Sequence, residues 1–283
     1  MSVFTIEFAG STVSIGCRKK EALDFLSFLF ADVAGVPATN GKKYILNLEY
    51  NEEQNAYVFS DAHKLLYRGQ LGVGFAAVLY DSIIFHLINN TANGVALHSG
   101  AVAMNDRVLL LPGQSGAGKS TLTGWLLTRG YSYLTDELIF IPQEKVGQIE
   151  YLSRPLCLKP GSVPILKKFA GDESSVELLQ DIHGAIIPHR MLNPQFKALS
   201  SSPSLIIIPD YQGCSSLEIE KISKAHLCSL LMGCHVNARN LENHGFDQIL
   251  KIARSTPAYR VRYGDFQGID SALDNLFDEM GTE

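Results

Sequence analysis

The residues with the clearest chemical potential are the octet Gly113-Gln114-Ser115-Gly116-Ala117-Gly118-Lys119-Ser120. It fits the phosphate-loop (Walker A) pattern at every defined position. Glycines let consecutive backbone N–H groups turn into one concavity, and a helix that starts there adds its dipole. Lys119 supplies a mobile positive charge for β- and γ-phosphates, and the Ser120 hydroxyl is the expected Mg²⁺ ligand. The flanks agree: residues 108–111 form an apolar strand. Residues 121–128 read as a helix with Leu122, Leu126 and Leu127 inward. Gly113, Gln114, Ser115, Gly116, Ala117, Gly118, Lys119, Ser120 and Thr121 are therefore expected to bind ATP with Mg²⁺. The plainer alternative is a glycine-rich turn before a helix.

An acidic pair, Asp136-Glu137, follows soon after the helix end at Arg129-Gly130. The strand before the loop is itself preceded by a strand, through a tight Asn105-Asp106 turn. That connection predicts an antiparallel hairpin, whereas the common nucleotide-hydrolase core feeds its loop from a parallel sheet. Phosphoryl transfer asks little covalent help of a protein: it must position the acceptor, neutralise charge and remove a proton. Glu137 either holds Mg²⁺ through water or faces solvent.

In this order the segment Leu97-His98-Ser99-Gly100-Ala101-Val102, the loop, Arg129-Gly130 and Thr135-Asp136-Glu137 resemble the HPr serine kinase/phosphorylase family. That family shares a fold with phosphoenolpyruvate carboxykinase. Three later segments are similar to HPr-kinase-related proteins of bacterial operons. They are Arg-Pro-x-x-Leu-Lys at 154–159, a strand ending in Pro at 205–209, and Tyr-Arg-x-Arg-Tyr-Gly-Asp at 259–265. The family has two aspartates where this chain has Asp136-Glu137, and its Glu-Ile-Arg-Gly-Leu-Gly signature is missing. The resemblance implies an α/β fold: a mixed β-sheet phosphate-loop core beside a small α+β N-terminal module. It also implies Mg·ATP-dependent transfer to a hydroxyl of a protein, a peptide or a small molecule, without naming HPr as that acceptor. It places Asp136 as general base, with a strand-entry cap or a metal ligand as the alternative. His98 would hold Asp136 or a phosphate oxygen. Apart from the resemblance, Arg154 and Arg190 are candidates for phosphate or acceptor contact; each is closely followed by turn residues, so a solvated surface arginine is the alternative. Related kinases often form hexamers, so a homo-oligomer is compatible. The rival reading is a nucleotide-responsive binding protein or ATPase without transfer. A carboxykinase would need a second metal site rich in Lys, His and Asp, which the sequence does not offer.

These groups need a scaffold. The asparagine-rich turn at 89–94 marks a boundary between an N-terminal module, 1–93, and a core, 94–283. Residues 3–16 read as two strands around Gly10-Ser11, 21–30 as a helix, 44–50 and 56–67 as strands, and 73–88 as a strongly apolar helix. Gly72-Val73-Gly74-Phe75-Ala76-Ala77 mimics a dinucleotide motif. It lacks a preceding apolar strand and the later acidic residue, so it reads as a packing device. Residues 181–194 combine His183, His189 and Arg190 with a Gly and two Pro, the character of a shaped loop over a site. This stretch is the candidate for acceptor recognition.

Composition sets the outer limits. Of 283 residues, 46% are hydrophobic and 19% charged, which describes a globular chain. A net charge of −5, with only short basic runs at Arg18-Lys19-Lys20 and Lys167-Lys168, argues against a nucleic-acid surface. No uncharged apolar stretch spans a bilayer; the longest, 71–87, is broken by Asp81 and His86. The N-terminus does not read as a signal peptide. Five cysteines without framework spacing fit reduced thiols, hence a cytoplasmic protein. Cys228, Cys234 and His235 lack a second ligand pair for zinc.

Overall fold

The computed structural model describes residues 2–33, 41–62, 64–144, 148–169, 179–195, 202–213 and 216–280. Cys214 lies outside them, as do the side chains of Lys167 and Lys168. The chain begins with the hairpin β1 (Ser2–Phe8) and β2 (Ser11–Cys17), turning through Ala9 and Gly10, both at positive φ. Helix α1 (Lys20–Leu29) then carries the chain back to β3 (Lys42–Asn51), which pairs parallel to β2, as a crossover connection allows. Strands β4 (Ala56–Asp61) and β5 (Lys64–Gly69) complete a five-stranded sheet in the order β1-β2-β3-β4-β5. The single strand expected over 56–67 is thus two. The chain reverses at Ala62, whose φ of 49° is left-handed, and β5 pairs antiparallel with β4.

Helix α2 (Val73–Ile88) follows, strongly apolar, with Val73, Phe75, Ala76, Leu79, Tyr80, Ile83, Leu87 and Ile88 buried and Ala77, Asp81 and Phe85 exposed. The second sheet starts with β6 (Gly94–Met104) and β7 (Arg107–Pro112). Asn105 and Asp106 sit at φ 50° and 61°, the conformation of a two-residue hairpin turn. The expected antiparallel pair is present, from Ser99 opposite Pro112 to Met104 opposite Arg107. Next come α3 (Lys119–Thr128), β8 (Ser132–Thr135), β9 (Leu138–Pro142) and β10 (Glu150–Tyr151). An arch follows, made of β11 (Leu156–Leu158), α4 (Val163–Phe169), β12 (Leu179–Asp181) and β13 (Gly184–Ile187). The chain ends with β14 (Pro203–Tyr211), β15 (Glu218–Lys221), α5 (Lys224–Gly233), α6 (Phe246–Ser255), β16 (Ala258–Tyr263) and α7 (Ile269–Met280).

The second sheet runs β10-β9-β6-β7-β14-β16-β15, with β8 also on β6, while β11-β13-β12 form a small third sheet. β7, β14 and β16 are mutually parallel and their neighbours antiparallel, so the architecture is mixed α/β. Strand β14 runs past Pro209 to Tyr211 rather than stopping there. The pairing with β7 ends at Ile206, so the missing Pro209 N–H leaves no gap in that ladder.

All of the first sheet lies within 1–93, but its core does not stop there. Phe8 packs edge-on against Phe140 of β9, and the same cluster takes in Ala96, Leu138, Leu152 and Ile186. Helix α2 therefore lies against both halves, and its outer face reaches the site described below. Among the described residues no helix is long and apolar enough to cross a membrane.

Candidate functional site

The site grows from the turn between β7 and α3. Gly116 and Gly118 take φ of 94° and 92°, which glycine adopts without strain. A Cβ on Gly118 would also come within 2.7 Å of the Tyr263 hydroxyl, whereas space above Gly116 is open. Helix α3 begins at once, so its first N–H groups face the concavity of the turn. The Lys119 side chain is buried and folds under the loop, its Nζ donating to the carbonyls of Gly113 (2.8 Å) and Gln114 (3.0 Å). Burial lowers its pKa and nearby Glu137 opposes that shift. From the far side, Lys159 Nζ donates to Ser115 Oγ at 3.0 Å.

The acidic pair enters between β8 and β9. Thr135 Oγ1 sets this corner: it accepts from the N–H groups of Glu137 (3.1 Å) and Leu138 (3.3 Å) and donates to the Leu152 carbonyl (2.7 Å). Asp136 is fully buried beneath it. The Cys157 N–H donates to its carboxylate at 3.4 Å, the Tyr133 hydroxyl oxygen lies 3.2 Å from it, and the nearby Ser120 hydroxyl favours its charged form. Burial raises the Asp136 pKa, and the Arg154 guanidinium, with Nε 3.6 Å from Oδ1, acts against the shift. Glu137 faces the cavity, with His98 Nε2 3.6 Å from its Oε1 and Arg154 Nη2 bonded to its Oε2. The Ser99 N–H donates to the Glu137 carbonyl at 3.1 Å, which ties the His98 strand to the acidic corner. Burial depresses the His98 pKa and Glu137 partly restores it.

Arg154 is the hub. It is 6% exposed, meets both carboxylates, touches Cys157 Sγ and lies 4.6 Å from the Tyr80 ring centre. Behind it the Tyr133 hydroxyl donates to the Arg154 carbonyl at 2.6 Å, and the Tyr133 ring stacks on His189 at 4.5 Å. Burial pushes the Cys157 thiol up to about 12, so it is a protonated packing group rather than a nucleophile.

His98, Lys119, Ser120, Asp136, Glu137 and Arg154 thus line one cavity of about 560 Å³, in the size range of small-molecule sites. Ser115, Gly116, Gly118 and Thr121 line it too, while Gly113, Gln114 and Ala117 form the back of the loop. Arg190 stands apart. It is not among the lining residues, and its guanidinium is bonded to Asp32, which also meets His189 Nε2 at 2.6 Å. From the stretch 181–194 it is His183 that reaches the cavity, and Asp181 accepts the Val73 N–H at the start of α2 (3.0 Å). Sequence reasoning also missed Tyr211, Tyr263 and Phe266 on one side, and Tyr80 and Asp81 of α2 on the other. Tyr263 belongs to a segment that carried a resemblance. The α2 residues gave no signal, because an apolar helix stripe reads as core.

Among the described residues no group of three or more His, Cys, Asp or Glu could hold a metal. Cys228 and Cys234 are free thiols, and the His235 ring bonds to Asn237 at 2.9 Å. The chain matches no protein-family model and no curated protein sequence.

Proposed function

We propose that this cavity binds a nucleoside triphosphate with Mg²⁺ and directs its terminal phosphoryl group to the hydroxyl of an acceptor. The observation that carries the reading is the placement of Ser120, Asp136 and Lys119 on one cavity of suitable size, with the Ser120 hydroxyl close enough to Asp136 to favour its charged form. A loop serine with a strand-end aspartate facing the same space is the pair that holds Mg²⁺ in phosphate-loop proteins. The residues fit these ligands. Two glycines in left-handed conformation leave the loop open to a close-approaching oxyanion, and nothing would meet a Cβ at Gly116. Mg²⁺ keeps several waters and is commonly bound through one or two protein groups plus substrate phosphates, so no metal cage of protein ligands is required. Ser120 with Asp136, helped by Glu137 through water, would hold it. When bound, the metal neutralises charge on the phosphates.

The remaining work falls to the chain. The loop N–H groups and Lys119 hold the phosphates, with Lys119 exchanging its two carbonyl contacts for phosphate oxygens. Asp136 takes the acceptor proton as the new O–P bond forms and the bond to the leaving diphosphate breaks. Burial suits it to this role, since a raised pKa makes a stronger base near neutral pH. Arg154 fixes Glu137 in place through its guanidinium, with His98 close by on the neighbouring strand. The resemblance to HPr-kinase-related proteins supports transfer over simple hydrolysis and is itself part of this proposal, as are an ATP preference and self-association.

Calorimetry tests the binding half. The unmodified protein binds Mg·ATP, and Lys119→Ala weakens binding at least about tenfold. Asp136→Asn lowers transfer from labelled ATP by about 10²-fold or more, and also weakens Mg·ATP binding because the same carboxylate would hold the metal. Absence of Mg·ATP binding by the unmodified protein overturns the proposal. ATP turnover with no labelled product from any acceptor points instead to a nucleotide-responsive protein.

A further inference from the structure

One wall of the cavity is left unused by phosphate chemistry. Helix α2 turns Val73, Ala77, Tyr80, Asp81 and Ile84 toward it, positions that share one helical face. Tyr80 is engaged, its ring beside Arg154 and its hydroxyl donating to the Leu29 carbonyl at 3.3 Å. Val73, Ala77 and Ile84 make an apolar strip. Asp81 is different: its carboxylate lines the cavity and has no hydrogen-bond or ion-pair partner among the described residues.

The local charges do not balance. Asp81, Asp136 and Glu137 share a single guanidinium, that of Arg154, whose contacts go to the latter two. Lys119 is turned to the loop carbonyls and Lys159 to Ser115. A metal at Ser120 and Asp136 would satisfy that carboxylate and Glu137, and would still leave Asp81.

We infer that the acceptor is a cationic hydroxyl compound: its positive group pairs with Asp81, its apolar part lies on Val73, Ala77 and Ile84, and its hydroxyl points to Asp136. This rests on the transfer reading above and names the acceptor class for the same site. The N-terminal module would then choose the acceptor while the core handles the nucleotide. Two sources share this chemistry, a small amino alcohol and a serine or threonine next to a basic residue in a peptide.

Two matched probes test the inference without requiring turnover. The full chain is titrated with 2-phenylethylamine, which is cationic, and with 2-phenylethanol, its neutral counterpart, with binding followed by NMR. The amine is expected to bind at least about tenfold more tightly, near 1.4 kcal/mol. Asp81→Asn should remove that preference and Asp81→Lys should reverse it. Asp81 is exposed and makes no hydrogen bond or ion pair among the described residues, so both variants should melt near the parent temperature. Equal affinity for the two probes, no amine binding at millimolar concentration, or a preference that survives Asp81→Asn overturns the inference. Lys119→Ala separates the two levels: it should weaken nucleotide binding at least about tenfold and leave the amine preference intact. With labelled ATP, small amino alcohols and basic serine peptides then distinguish the sources. Label passing equally well to neutral hydroxyls also overturns the inference.

Discussion

Replacing Arg154 by Ala probes the electrostatic design of the site directly. The guanidinium is 6% exposed and is the partner of Asp136, which has no exposure to water of its own. Removing one member of a buried pair usually costs about 3–5 kcal/mol, because the survivor is left uncompensated. Here protonation caps the cost. Stranded Asp136 can take up a proton at about 1.4 kcal/mol per pH unit above its pKa. Were that pKa the ordinary 3.8, the ceiling at pH 7 would be about 4 kcal/mol; burial has already raised it, so the ceiling is lower. Lost contact with the Tyr80 face adds about 1 kcal/mol. Glu137 is partly solvated and adds little. A loss of about 3 kcal/mol at pH 7 is expected in urea unfolding. The variant should also show a distinctive pH dependence. Its Asp136 titrates above the unfolded-state value, so the folded protein binds the extra proton and stability falls as pH rises toward the folded pKa. The deficit relative to the parent is therefore smaller at pH 5 than at pH 7. A loss under about 1 kcal/mol, or one independent of pH, would refute the assignment of Arg154 as the buried countercharge.

Two further predictions concern the frame around the site. Gly184 has φ 136°, and a Cβ there would lie 2.0 Å from the Leu158 carbonyl, so Gly184→Ala must part β11 from β13; a loss above about 3 kcal/mol in urea unfolding is expected, and a near-neutral result would mean that this pairing is absent in solution. Asp32 ties the first module to His189 and Arg190. Burial pushes its carboxyl up, but those two partners outweigh burial and hold it below the usual range. Its contribution is present above the unfolded pKa and fades as pH falls through the folded one, so Asp32→Asn should cost about 1 kcal/mol at pH 7 and much less near pH 3; an equal cost at both would exclude the ion pair as its source.

The features readable from sequence are those whose physics is local. The phosphate loop, the start of α3 and the Asn105-Asp106 hairpin each depend on a few consecutive residues, on backbone handedness and on hydrogen bonds within one turn. The limits of α2 followed from the same kind of pattern and match expectation at both ends, whereas the α/β character was what the family resemblance implied. Strand pairing across the chain was not available, which is why β4 and β5 read as one strand. Nothing in their composition distinguished Arg154 from Arg190; each is an arginine close to turn residues. Packing separated them. The third sheet folds Arg154 inward between two carboxylates and Tyr80, and the turn after β13 carries Arg190 outward to Asp32. The same applies to α2. Its apolar pattern requires burial but is silent on what buries it, so one of its faces became core and another became a cavity wall with Asp81 on it. A periodic pattern specifies that a face needs covering, and only the arrangement of distant elements decides which faces are covered and which are left to meet a ligand.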